Sequence, residues 1–397
     1  MSETHDLVLP AHPRAVCVGH ALKETLSAGA ARSAIVEGMI QGGGFVTASF
    51  CVSDGGDGFI DAYEQARPSR HAAATCSGPL GEPVECEYLF DVATGAAVIE
   101  TARCSGLALV PPGRRDIMAS GTAGIGDVMA DAMSLGAHKF FIGLGGSATC
   151  DGGIGLVMRL QHRLLGDDSA SRAFRAADLE MPVPVRMTEL RAALSTVDMI
   201  VCTDVTNPLT GPFGSAVKFA PQKGAAPEQA ALLDSLLGRW ADIIEGQIGQ
   251  RPRDLPGAGA AGGLGFAFMA LGGKVQPGAE AFCELVGLRD SLSGCDLVAT
   301  CEGKFDQTSF HGKAPWRVAM IARAAGRRAV IACGLSDPAS VKAARDKGVE
   351  ILTFAADVPV ECRSAEAAAR LRGAIENWLI RARKHRASAR HFPVVDE

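Results

Sequence analysis

A chain of 397 residues is too long for one ordinary core and has the length of two domains; with 47% hydrophobic and 21% charged residues it reads as folded throughout. A formal net charge of −5 and only 5% aromatic residues exclude the basic footprint and stacking platforms that nucleic acid needs. No run of about 18 apolar residues could cross a bilayer, so no membrane partner is expected.

The N-terminal stretch MSETHDLVLPAHPRA carries acids and no apolar segment of signal-peptide length. Short apolar runs then recur, each ending at a glycine-rich or acidic turn and leading into helical periodicity: AVCVGH from Ala15, VTASFCVSDGGDG from Val46 and HKFFIGLGG from His138. The stretch from Leu164 to Thr188, with GDDSASR and MPVPVRM, reads as a polar surface connection. Further runs follow in DMIVCTDV from Asp198, CDLVATCEG from Cys295 and RAVIACG from Arg328. A helix after Ser364 buries Leu371, Ile375 and Leu379 and ends in Arg381, Arg383, Lys384, Arg386 and Arg390, cations placed to suit the helix dipole. The alternation of buried strands and helices is that of an α/β protein with parallel sheets, whose ligands sit beyond the strand carboxyl ends.

Twelve cysteines from Cys17 to Cys362 stand singly, without a C-x-x-C pair or zinc-type spacing, and read as reduced, mostly buried small hydrophobes. With the N-terminal composition they point to the cytoplasm. Two segments match the dinucleotide pattern formally, GLGGSA from Gly143 and GAGAAG from Gly257. The second follows QRPRDLP, unsuited to a central strand, and the first has no acid placed for a ribose, so a dehydrogenase fails its context test. There is no G-x-x-x-x-G-K-[ST] loop and no protein-kinase set. Glycine loops of another kind remain, in which backbone N–H groups near Gly145 and Gly146, helped by Ser147 and Thr149, could cradle phosphate oxygens.

The acids carry more information. Asp54 and Asp57 lie in VSDGGDGF, Asp204 in CTDVTNPL, and Glu302 and Asp306 in CEGKFDQ, each set after a β-like run. A turn carboxylate is ordinarily a cap, but three such sets at strand ends suit phosphoryl transfer, which needs carboxylates for magnesium or a hydroxyl and cations for phosphate. Lys223, Lys304 and Lys313 are candidate cations.

The segments SDGGDGF, TCSGPLGEPVE, AVIETARCSGLALVPP, GLGGSATCDGGIG, CTDVTNPLTGPFGSAVKFAPQKGA, DLPGAGAAGGLG and CDLVATCEGKFDQTSFHGKAP occur in the order found in bacterial glycerate kinases of the first class, and the chain resembles that family from about residue 15 to residue 380. The resemblance implies a two-domain α/β fold of the glycerate kinase I type. A discontinuous Rossmann-like domain would comprise residues 1–70 and 290–397, with an inserted α/β domain at 71–289 and a cleft between them. It implies ATP and Mg2+ as cofactors and a phosphotransferase with an alcohol group as acceptor, acting on D-glycerate and usually giving 2-phosphoglycerate.

On this resemblance the catalytic group is Asp204, Asp306, Glu302 and Lys313, with Asp204 and Glu302 as metal ligands. Asp54, Asp57, Lys23, His20, Asn207 and Ser105 would bind substrate, and Gly145, Gly146, Ser147, Thr149, Gly259 and Lys223 the nucleotide phosphates. A homodimer is kept open as an assembly state.

The family pattern breaks where its first strand usually ends in proline-aspartate-serine-phenylalanine-lysine-glycine. Here the run is Gly19, His20, Ala21, Leu22, Lys23 and Glu24, so that only the lysine survives. In GTAGIGDVM, Ile125 replaces the usual threonine and removes a hydroxyl from an expected binding loop. A glycerate kinase, a kinase for a related small hydroxy acid and a catalytically silent metabolite-binding relative therefore stand as three readings.

Overall fold

The structure is a computed structural model that describes residues 9–22, 25–56, 58–354 and 364–389. Lys23, Glu24, Asp57 and Arg390 lie outside the described residues, as does most of the N-terminal stretch. In chain order the strands are β1 (Arg14–Gly19), β2 (Phe45–Cys51), β3 (Arg70–Ser77), β4 (Pro83–Asp91), β5 (Ala96–Glu100), β6 (Lys139–Gly143), β7 (Asp198–Cys202), β8 (Lys274–Gln276), β9 (Leu297–Phe305), β10 (Arg328–Ser336) and β11 (Val349–Thr353). The chain divides into two compact units, one of Met1–Asp54, Asp61–Ala66 and Ala279–Glu397, the other of Gly55–Ile60 and Arg67–Gly278.

In the first unit five strands run in the order β11-β10-β9-β1-β2, all parallel. The six apolar runs found in the sequence are the strands β1, β2, β6, β7, β9 and β10. Alternation along β9 explains how both faces are used. Leu297, Ala299 and Cys301 join a core with Ile35 and Met39 of the helix Ala28–Gln41 and Leu371, Ile375 and Leu379 of the helix Ser364–Ala389. Val298, Thr300 and Glu302 point the other way, on the side taken by the helix Ala314–Ala324. Ser27 starts the first of these helices by accepting the Ala30 N–H at 3.2 Å, a Ser N-cap as the sequence favours.

The second unit holds a mixed sheet in the order β3-β4-β5-β6-β7-β8. The pairs β3–β4 and β4–β5 are antiparallel and the rest parallel, so the parallel arrangement read from the sequence gives way to antiparallel pairing at this edge. The reason is physical: β3 and most of β4 are half-buried and alternate apolar with polar residues, as an outer antiparallel pair does. The stretch from Leu164 to Thr188 also differs from the expected surface connection. It contains the short 3-10 turns Asp168–Ala170 and Ala176–Glu180, and it buries Ala170, Phe174, Ala176, Leu179, Val185 and Met187 in the core. Among the described residues no helix is long and apolar enough to cross a membrane.

Candidate functional site

In the first unit the candidate groups gather at the carboxyl ends of β1, β2 and β9. Glu302 lies within β9 rather than after it, and its side chain is only 4% exposed. Lys313, which precedes the helix Ala314–Ala324, sends its Nζ to Glu302 Oε1 at 2.6 Å, and Ser309 Oγ donates to the same oxygen at 3.0 Å. Burial pushes the Glu302 carboxyl up from its ordinary value, while Lys313 and Ser309 oppose the shift. Its other oxygen, Oε2, is buried and has no hydrogen-bond partner among the described residues; the same holds for Thr300 Oγ1 and His20 Nδ1.

His20 follows β1, and its backbone carbonyl accepts the Cys301 thiol at 3.4 Å. Its Nε2 stands 3.7 Å from Asp54 Oδ2, and the ring is near enough to Glu302 to act on it electrostatically. The imidazole where the family usually has an acid therefore sits among the acids. Leu22 is buried in the core, where it keeps the apolar role of the family phenylalanine.

Asp306 was expected among the catalytic residues, but its observed partners are those of a cap. Oδ1 accepts the Thr308 N–H at 3.0 Å and the Thr308 hydroxyl at 2.6 Å, and Oδ2 pairs with Lys304 Nζ at 3.2 Å. Those bonds, Thr308 foremost, hold the Asp306 carboxyl down at about 2. Ser309 was not singled out from the sequence, yet it joins Glu302 to Lys313. Its signal was the D-x-x-S spacing from Asp306, since the Asp306 N–H in turn donates to Ser309 Oγ at 3.2 Å.

In the second unit the loop after β6 is tied down by close backbone approach. A Cβ on Gly145 would lie 2.5 Å from Gly56 Cα, and the Gly145 N–H donates to the Gly55 carbonyl at 3.0 Å. The Ala148 N–H goes to the Ser105 carbonyl at 2.9 Å and the Thr149 N–H to Ser147 Oγ at 3.1 Å. These amides close the loop on itself and on its neighbours. Gly146 is the exposed point of the loop, at φ +72°.

Lys223 and Ser105, expected from the resemblance to bind phosphate and substrate, are both buried. Lys223 is buried and donates from Nζ to the Thr149 carbonyl at 2.7 Å, fixing the loop from within; burial pushes its ammonium below its ordinary value. Ser105 is fully buried beside Cys104. Asp151, missed in the sequence, lies wholly buried at the end of this loop. It accepts from Thr122 N–H and Oγ1, Gly153 N–H and Gly155 N–H, at 2.7 to 3.2 Å. Ile125 belongs to the helix Ala123–Ser134 and is fully buried in the apolar core, so its replacement of a threonine is a packing change and not the loss of a loop hydroxyl.

Asp204 is exposed just beyond β7. Asn207 donates from Nδ2 to the Phe213 carbonyl at 2.8 Å and accepts the Gly259 N–H on its own carbonyl at 2.9 Å. Gly259 is thus joined to the segment that carries Asp204, although its amide is already taken.

Comparison with known proteins covers nearly the whole chain. Residues 15–381 match the model of the glycerate kinase family. A glycerate kinase of Bacillus subtilis (strain 168) is 37% identical over 305 residues, which is 76% of this chain and 79% of that protein. A glycerate 2-kinase of Escherichia coli (strain K12) is likewise 37% identical over 305 residues, covering 76% and 80%. A crystal structure described as glycerate kinase 2 from Salmonella typhimurium LT2 superposes with a TM-score of 0.79 at 31% identity, covering 96% of this chain and 100% of that one. With the two-domain α/β fold, the strand-end acids and the sequence in agreement, the chain belongs to the glycerate kinase family.

Proposed function

We propose that this protein transfers the γ-phosphoryl group of ATP to a hydroxyl of D-glycerate, giving phosphoglycerate phosphorylated at the 2-position, with Mg2+ as the metal. The observation that carries the reading is Glu302: a buried strand-end carboxylate held by Lys313 and Ser309 through one oxygen, with the other unpartnered among the described residues. Relatives that bear the names glycerate kinase and glycerate 2-kinase supply the substrate.

Hard carboxylate oxygens suit Mg2+, and an unpaired one in a buried position fits a metal ligand in kind. Glu302 would hold the ion through Oε2, and the bound metal would offset charge on the transferring phosphoryl oxygens. The remaining roles belong to the chain itself. Asp204 orients the acceptor hydroxyl and takes its proton as the oxygen bonds to the γ-phosphorus and ADP departs. Lys313 and Ser309 oppose the rise that burial gives the Glu302 carboxyl. Gly146, a glycine at positive φ on the exposed point of its loop, lets a phosphate approach the backbone where a side chain would intrude.

A second reading, a kinase for a related small hydroxy acid, is favoured by His20, whose imidazole stands 3.7 Å from Asp54 where the family usually has an acid. ADP release measured with D-glycerate and a panel of other hydroxy acids separates the two. Turnover only with another acid selects the second reading, and absence of turnover with every acid refutes both. Asp204→Asn should lower kcat about 100-fold or more with folding intact, the loss expected of a general base. Full activity in that variant would remove Asp204 from the chemistry.

A further inference from the structure

Three cysteines spread over the sequence meet in the second unit. Cys76 on β3, Cys86 on β4 and Cys104 on the short helix Ala102–Ser105 are all buried, and their Sγ atoms lie within 4.8 Å of one another. The sheet register explains the meeting. Cys76 pairs with Val84 and Ala74 with Cys86, so Cys76 and Cys86 are diagonal neighbours on one face, and Cys104 covers that face from above.

A disulfide between Cys76 and Cys86 suits this arrangement poorly. Diagonal neighbours across an antiparallel pair stand roughly 7–8 Å apart, beyond the ordinary Cα limit of about 7 Å for a disulfide. Three thiolates around one soft ion at about 2.3 Å would lie roughly 4 Å apart, which side chains already within 4.8 Å reach by small rotations. The thiols also interact with one another. Bonds from Cys104 and then Cys76 pull the Cys86 thiol down, with Arg103 assisting against burial, while bonds to Cys76 and Cys86 push the Cys104 thiol up.

Charge and donor number narrow the ion. Structural zinc takes four ligands, and no fourth His, Cys, Asp or Glu joins the group among the described residues. A monovalent ion such as Cu(I) with three thiolates would leave two negative charges in an apolar core. Arg103, the cation that acts on Cys86, is already matched by Glu100 at 3.0 Å and Glu87 at 3.3 Å. A trivalent ion with three thiolates is neutral, and a neutral complex is the one that burial penalises least.

We infer that Cys76, Cys86 and Cys104 form a binding site for a trivalent soft metalloid of the arsenite type, held as the neutral tris-thiolate. Arsenious acid, As(OH)3, loses three As–O bonds and gains three As–S bonds. Each hydroxide leaves with a thiol proton as water, three waters in all, and nothing is oxidised or reduced. The site lies beside the rim of the sheet, because β3 is its outer strand. The site also borders the loop after β6: Ser105 and Gly106 follow Cys104, the Ser105 carbonyl accepts the Ala148 N–H, and Gly106 pairs with Ser147.

The test uses the full chain with arsenite as probe, in a phosphine reductant free of competing thiols. Native mass spectrometry should find one arsenic per chain, and X-ray absorption at the arsenic edge should find three sulfur neighbours and no oxygen. Arsenite should raise the thermal unfolding midpoint of the wild type. Cys104→Ala and Cys86→Ala should each weaken binding tenfold or more, whereas Cys17→Ala in the first unit should not. Mixed sulfur and oxygen coordination, binding undiminished in Cys104→Ala, or preference for Zn(II) or Cu(I) over arsenite would overturn the inference. The absorption measurement on wild-type protein decides the matter even if a variant fails to fold.

Discussion

Lys313→Met tests the central pair directly. The substitution keeps an apolar stem of similar length and removes the ammonium that meets Glu302 Oε1 at 2.6 Å, leaving Ser309 Oγ at 3.0 Å as the remaining partner of that oxygen. Breaking a fully buried ion pair costs about 3–5 kcal/mol, because one charge is left in the interior. Lys313 keeps 27% of its side-chain exposure, so water relieves part of this, and a loss of about 2–3 kcal/mol is expected at pH 8. The loss should depend on pH with a fixed sign. Burial already places the folded-state carboxyl of Glu302 above its ordinary value, and Lys313 acts to lower it, so removing Lys313 raises it further. A raised folded-state carboxyl pKa destabilises at pH above that value, and the penalty fades as pH falls toward the unfolded value near 4.5. The variant should therefore approach wild-type stability near pH 4.

Urea unfolding followed by tryptophan fluorescence suits the measurement, since Trp316 packs edge-on against Phe310 at 4.7 Å on the helix that Lys313 begins. Glu302→Gln should cost about 1 kcal/mol, less than Lys313→Met, because the ammonium it leaves behind keeps 27% exposure and can turn to water, whereas the carboxylate left by Lys313→Met is only 4% exposed. The double variant should be more stable than Lys313→Met alone, a coupling of about 2 kcal/mol. A loss for Lys313→Met that is equal at pH 4 and pH 8, or a double variant that loses the sum of the two singles, would refute the claim that the pair offsets the burial of Glu302.

Two further substitutions probe the remaining geometry. His20→Asp restores the acid usual in the family beside Asp54, and it should shift the ratio of kcat/KM for D-glycerate over other hydroxy acids by about tenfold, as gain or loss of one polar contact does; an unchanged ratio would separate this turn from substrate choice. Gly262→Ala puts a Cβ 2.0 Å from the Thr149 carbonyl at φ +74°, where the Gly262 carbonyl also accepts the Gly152 N–H at 2.9 Å, and should cost about 3 kcal/mol in thermal or urea unfolding. Gly166→Ala, at φ +65° with open space around it, carries only the left-handed penalty of about 1 kcal/mol and serves as the control; equal losses would show that close approach to the loop contributes nothing.

The strands legible in the sequence were continuous apolar runs ending at a turn, most of them buried on both faces; β2 is only half-buried, and the fully buried β5 was not among them. β3 and β4 were not, since a half-buried outer pair offers only short alternation among small residues. The acids were legible as a set and not as individuals. Asp306 and Glu302 occur in one segment, yet the first caps a turn and the second keeps an oxygen in reserve, a difference made by Thr308, Ser309 and Lys313 in three dimensions. Lys223 reads from sequence as a candidate phosphate cation, and only the fold shows it buried with its Nζ on the Thr149 carbonyl. The three cysteines could not have been joined from spacing at all, because their meeting depends on the register of β3 against β4.

Burial and a raised carboxyl pKa do not by themselves distinguish a working acid from a structural one in this protein. Asp151 and Glu302 share both properties, and in each burial is the main cause of the shift. They part in how their oxygens are used. Asp151 gives Oδ1 to Gly153 and Oδ2 to Thr122 and Gly155, so each oxygen already accepts a donor and its role is to fasten the loop to the helix Ile154–Leu165. Glu302 gives Oε1 to two donors and leaves Oε2 buried without a partner among the described residues, an arrangement that costs free energy unless a ligand completes it. Asp151→Asn should accordingly act on stability, and Glu302→Gln on metal-dependent turnover far more than on stability. Equal division of both effects between the two variants would mean that the unpartnered oxygen marks nothing.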